Sequence, residues 1–69
     1  MRTDLFLIEM GRKIRKCRKE KGITLEEMCK ECNLAVANIS FLERGRKDAH
    51  ILTLKKIADY LGVDVKDFI

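Results

Sequence analysis

Apolar residues recur at spacings of three and four along nearly the whole chain, and no stretch alternates apolar with polar as a half-buried strand must. Leu25, Met28, Cys29 and Cys32 fit the i, i+3, i+4, i+7 template of a helix face without a miss. Thr24 precedes them as an N-cap, and Glu27 stands where it completes a capping box. Upstream, a helix is predicted from about Asp4 or Glu9 to Lys21, with Ile8 or Met10, Ile14 and Cys17 as its apolar stripe. A third is predicted over about Val36 to Arg44 with Ile39 and Leu42 inward. A fourth, about Leu52 to Leu61, is served by Ile51, Leu54, Ile57, Ala58 and Leu61. Asp64 can cap a last short helical turn holding Val65, Phe68 and Ile69. Gly22, Asn33, Gly45 and Gly62 each follow one of these segments, where a left-handed residue closes a helix at little steric cost. The expected fold is an all-α bundle of five helices in one domain spanning residues 1–69.

Composition narrows this further. Sixty-nine residues bury on folding only about 60% of the surface the unfolded chain exposes, so the core must be efficient or shared with a second copy. At 46% hydrophobic and 38% charged, with four glycines and no proline, the chain is too apolar for disorder and too regular for a loop-rich fold. Three cysteines cannot all pair with one another, which disfavours a secreted disulfide scaffold and points to a reducing cytoplasm. No apolar run exceeds the length of Leu5 to Ile8, too short for a membrane span. The net charge of +4 suits an acidic partner.

Thr24 to Gly45 reads as helix, four-residue turn, helix, a unit whose second helix can enter a DNA major groove. A basic helix precedes it, and the loop Gly45-Arg46-Lys47-Asp48 and an amphipathic helix follow. The stretches MGRKIRKCRKEKGITLEEM, NISFLERGRK and LTLKKIADYLGVDVKDF, in that register, resemble the Cro/repressor-type (XRE-like) helix-turn-helix family of transcriptional regulators. The resemblance runs from Met10 to about Phe68 and implies a lambda-repressor-like DNA-binding domain. It also implies a structural salt bridge between Arg18 and Glu43.

By that resemblance the base-facing positions are Val36, Ala37 and Phe41, with Asn38 beside them. Val36, Ala37 and Phe41 cannot make the bidentate arginine–guanine or glutamine–adenine contact that dominates direct readout. Three roles stay open for this helix. Apolar contact with thymine methyls can do the reading, with Asn38 or Ser40 as polar partner. DNA shape can carry the specificity. Alternatively the helix meets a protein, as an antitoxin-like or inhibitor-like module. Phe41 can also simply fold back into the core. Around the helix, Arg44, Arg46 and Lys47 are placed for phosphates, as are Ser40 and the start of the second helix at Thr24, whose amides are unsatisfied.

Other chemistry finds little footing. Cys29-x-x-Cys32 with Cys17 and His50 has the ligand count of structural zinc, but the cysteines already serve as small apolar residues of helical stripes. No metal or cofactor is expected. One histidine, one serine and one tyrosine, without a glycine-rich phosphate loop, leave no catalytic constellation. A single unit of this kind reads few base pairs, so a two-fold dimer on double-stranded DNA is expected, through Leu52, Tyr60, Phe68 and Ile69. The charge distribution agrees with a grip from the flanks. Residues 12–21 hold seven cations and one anion, whereas Ile23 to Glu43 holds one lysine against four glutamates.

Overall fold

A computed structural model describes residues 4–69. Among these residues there are four α-helices, α1 (Leu5–Glu20), α2 (Leu25–Cys32), α3 (Val36–Glu43) and α4 (Ile51–Leu61), and a closing 3₁₀ turn at Val65–Asp67. The expected fifth helix is therefore this one turn. Asp64 caps it as anticipated, accepting from the Lys66 amide at 3.1 Å while its own amide donates to Asp67 Oδ2 at 3.1 Å. Phe68 follows at once and turns inward, so no second helical turn is built.

Each α-helix ends on the same local geometry. Gly22, Asn33, Gly45 and Gly62 all have positive φ, between 57° and 73°. At each, two amides reach back to the last turn: Leu34 N–H donates to Cys29 O at 2.8 Å, and Arg46 N–H to Phe41 O at 2.9 Å. These bonds satisfy carbonyls that the helix itself leaves open and reverse the chain within two residues. At the start of α2, Thr24 Oγ1 accepts from the Glu27 amide at 3.1 Å. The reciprocal half of the capping box does not form, because Glu27 Oε1 instead accepts from the Thr24 hydroxyl at 3.3 Å.

The core joins Met10 and Ile14 of α1, Met28, Cys29 and Cys32 of α2, Ile39 and Leu42 of α3, and Leu54, Ile57, Ala58 and Leu61 of α4, closed by Phe68. Phe68 is 1% exposed. It thus belongs to the core and not to the dimer face for which its position near the C-terminus suggested it. Ile51, expected on the buried face of α4, is 61% exposed: it has the spacing of Leu54 and Ala58, but as the first residue of the helix it extends beyond the part that the rest of the molecule covers. Cys29 and Cys32 are buried, and burial pushes both thiols above their ordinary pKa. They are packing residues, with little thiolate for a metal or an oxidant. No group of three or more potential metal ligands is assembled among the described residues, and no helix among them is long and apolar enough to cross a membrane.

Two features clamp α1 against α3. Gly11 lies where a Cβ would come within 2.8 Å of Glu43 O and would also run into Leu42 O, so the two backbones meet directly. About two turns further on, Arg18 reaches Glu43 with Nε to Oε2 at 2.8 Å and Nη2 to Oε1 at 3.0 Å. Its Nη1 donates to Ile23 O at 2.7 Å, which ties in the turn before α2. Both side chains are nearly buried, at 8% and 5% exposure. The hydrogen bond to Glu43 raises the Arg18 pKa, with desolvation opposing it.

Removing one partner of a buried, fully bonded pair strands the other charge and costs about 3–5 kcal/mol. That rivals the entire stability of a domain this size, at roughly 0.05–0.15 kcal/mol per residue. Arg18→Met or Glu43→Leu alone is therefore expected to unfold much of the population at 25 °C. The double variant, with neither charge left, should regain most of the loss. Urea denaturation followed by circular dichroism measures all three, and a double variant no better than the worse single one would contradict this assignment.

Candidate nucleic-acid interface

α3 has apolar side chains on all sides, and the clamp decides which of them face out. Ile39, Leu42 and Glu43 turn into the molecule. Ala35, Val36, Ala37, Asn38 and Phe41 are left on the surface. Val36 is 41% exposed and Phe41 45%, so Phe41 does not fold back into the core. The N-cap position, Ala35, makes no side-chain cap, and the first turn of α3 carries no acidic residue. Its outer face is thus a small apolar surface with Asn38 as its polar member.

The cations lie where α3 ends. Arg44 caps the helix, Gly45 takes the left-handed conformation at φ 73°, and Arg46 follows. Gly45 has no room for a side chain, because a Cβ would stand 2.6 Å from Ile8 Cα. The loop is thus held against α1 while Arg44 and Arg46 stay exposed. Lys47 is exposed as well, but its ammonium is drawn onto α3 and donates to Asn38 Oδ1 at 2.8 Å. Lys47 is therefore part of the α3 surface, not an isolated loop cation as its sequence position implies.

A shallow cleft between α1, α2 and α3 brings together Arg15, Leu25, Ser40 and Arg44, with the Arg18–Glu43 pair as its floor. Arg15 was one cation among seven in a basic run. Its signal was the three-residue step to Arg18, which puts both on one side of α1. Ser40, half-buried, faces this cleft. Thr24, by contrast, has its hydroxyl engaged with Glu27, which leaves the amides at the start of α2 as the groups an anion there would meet. Glu26 and Glu27 occupy that first turn and oppose a second negative charge.

Of the residues suggested for a dimer face, Leu52 is 71% and Ile69 54% exposed, and Tyr60 is half-buried. Leu5 and Phe6, also in excess of the core, are exposed.

Known proteins share both the sequence pattern and the geometry. A helix-turn-helix family model, HTH_3, matches residues 14–68. The control protein C.BamHI of Bacillus amyloliquefaciens is 35% identical over 68 residues, covering 97% of this chain and 84% of that protein. The HTH-type transcriptional regulator y4dJ of Sinorhizobium fredii, itself uncharacterised, is 37% identical over 54 residues, covering 78% of this chain and 70% of that protein. Among solved structures, the biofilm master regulator SinR in complex with DNA superposes with a TM-score of 0.82 at 32% identity, covering 86% of this chain and 95% of that one. On the matched residues, the shared fold and these relatives, the chain belongs to the HTH_3 helix-turn-helix family.

Proposed function

We infer that this protein is a transcriptional regulator that binds double-stranded DNA, with α3 in the major groove. The observation that carries this is the pinned α3 itself: a short helix whose outer face is open and whose C-terminal end is flanked by exposed Arg44 and Arg46. Related proteins of the same architecture are transcriptional regulators, one of them captured on DNA, which favours a DNA role over a purely protein-binding one. The whole of residues 1–69 acts as one domain, and the helix-turn-helix unit spans about residues 24–45.

Under this reading Val36, Ala37, Asn38 and Phe41 face the bases. The apolar members suit thymine methyl groups, the one base feature in the groove that rewards contact without hydrogen bonds. Arg44 and Arg46 hold the phosphates beside the groove, and Arg15 with Ser40 supports a further one across the cleft. The α2 amides add a weaker contact, given Glu26 and Glu27 beside them. Such a role places the protein in the cytoplasm with the DNA.

A single α3 covers too few base pairs for a selective complex, so two copies bind half-sites about one helical turn apart. Leu52 and Ile69, with Tyr60 at the edge, form the shared face; the excess apolar surface there supports this. Light scattering at high micromolar concentration should report a dimer, and Leu52→Glu should shift it to monomer. A monomeric unmodified protein would remove this part of the proposal.

The salt dependence of binding tests the DNA role. Each phosphate engaged on duplex DNA contributes about −0.9 to the slope of log K against log salt. Replacing Arg44 and Arg46 together by alanine should therefore flatten the slope by about 2 while leaving the fold intact. No binding even at low salt, or a slope the double replacement leaves unchanged, contradicts the proposal.

A further inference from the structure

The outer face of α3 lacks the arginine that usually reads guanine, yet a pair of side chains there presents the same pattern. Asn38 lies on α3 and Lys47 in the loop beyond it, nine residues away, and Lys47 Nζ donates to Asn38 Oδ1 at 2.8 Å. An ammonium group has only donors, so the amide must turn its oxygen to Lys47 and its NH₂ away from it. Both side chains are exposed, and Asn38 shares its helix with Val36, Ala37 and Phe41.

This bond changes what the asparagine can read. A free asparagine matches adenine, since its oxygen accepts from N6 while its NH₂ donates to N7. With the oxygen taken by Lys47, one lone pair is filled. A donor brought to the other would sit beside a full positive charge. What remains on offer is the amide N–H and the two other N–H groups of the ammonium, donor next to donor. Guanine presents two acceptors in the major groove, N7 and O6, whereas adenine presents an acceptor and a donor. We propose that Asn38 and Lys47 act as one composite reader of guanine, with Lys47 setting the preference of Asn38. The inference rests on the DNA-binding role above and assigns Lys47 to a base, where its place in a basic loop suggested a phosphate.

Selection of binding sites from a randomised duplex library, at low salt, tests it with four proteins: the unmodified chain, Lys47→Met, Lys47→Arg and Asn38→Ala. The unmodified chain should enrich guanine at one position of each half-site, and Lys47→Arg, which still donates, should keep it. Lys47→Met frees the asparagine oxygen and should move the preference at that position toward adenine by about tenfold, the scale of one bidentate base contact. Asn38→Ala should lose the preference at that position. Thermal melts of the four proteins keep folding separate from readout, since both side chains are exposed. If Lys47→Met weakens all sequences alike and leaves the selected base unchanged, Lys47 is a phosphate contact and the composite reader is overturned while DNA binding stands. If none of the four proteins retains any duplex, the DNA-binding role fails and the reader fails with it.

Discussion

Arg18 sits at the junction of three elements: it holds Glu43 at the end of α3 with two nitrogens and the Ile23 carbonyl ahead of α2 with a third. Nearly buried charges of this kind add little net stability, because the cost of taking them out of water offsets their attraction. What they supply is geometry. A planar guanidinium facing a carboxylate with two parallel bonds accepts one orientation, and the third bond sets the distance to the turn. The clamp is completed by direct backbone contact, since only glycine at position 11 lets α1 approach Leu42 and Glu43 so closely. Between them these contacts fix the roll of α3 about its own axis. That roll decides that Ile39 and Leu42 go into the core while Val36, Ala37, Asn38 and Phe41 stay out.

The division of labour at the candidate interface follows from this placement. The interior of the helix-turn-helix unit is net acidic, so attraction to DNA is supplied from outside it, by α1 and by the residues after α3. Arg44 and Arg46 owe their position to the Gly45 turn, whose close approach to Ile8 holds the loop against α1. Cations at the end of α3 also complement the negative end of its dipole, so the same charges that suit phosphates stabilise the helix that presents them.

Much of this was legible in the residue pattern. Four left-handed closures stood out as three glycines and an asparagine at the end of periodic segments, and the apolar stripe of α2 needed no structure to be read. Periodicity was less reliable at element ends. Ile51 has the spacing of the buried face of α4 but lies at the helix's exposed first position, and Phe68 plugs the core just after a 3₁₀ turn, which a 3.6-residue repeat does not describe. Gly11 was silent because a helical glycine gives no sign of which backbone it must admit. Arg15 was hidden in a run of similar charges, and the bond between Asn38 and Lys47 depends on the path of a loop that spacing alone does not determine.

The central claim, that the clamp exists to present the outer face of α3 to DNA, is tested most directly by mapping backbone amide chemical shifts as duplex DNA is titrated in at low salt. The changes should concentrate in residues 36–41 and 44–47, with smaller ones at the start of α2 and around Arg15. The amides of the buried side of α4, from Leu54 to Leu61, should stay in place. Changes centred on α4, with α3 undisturbed, would contradict it.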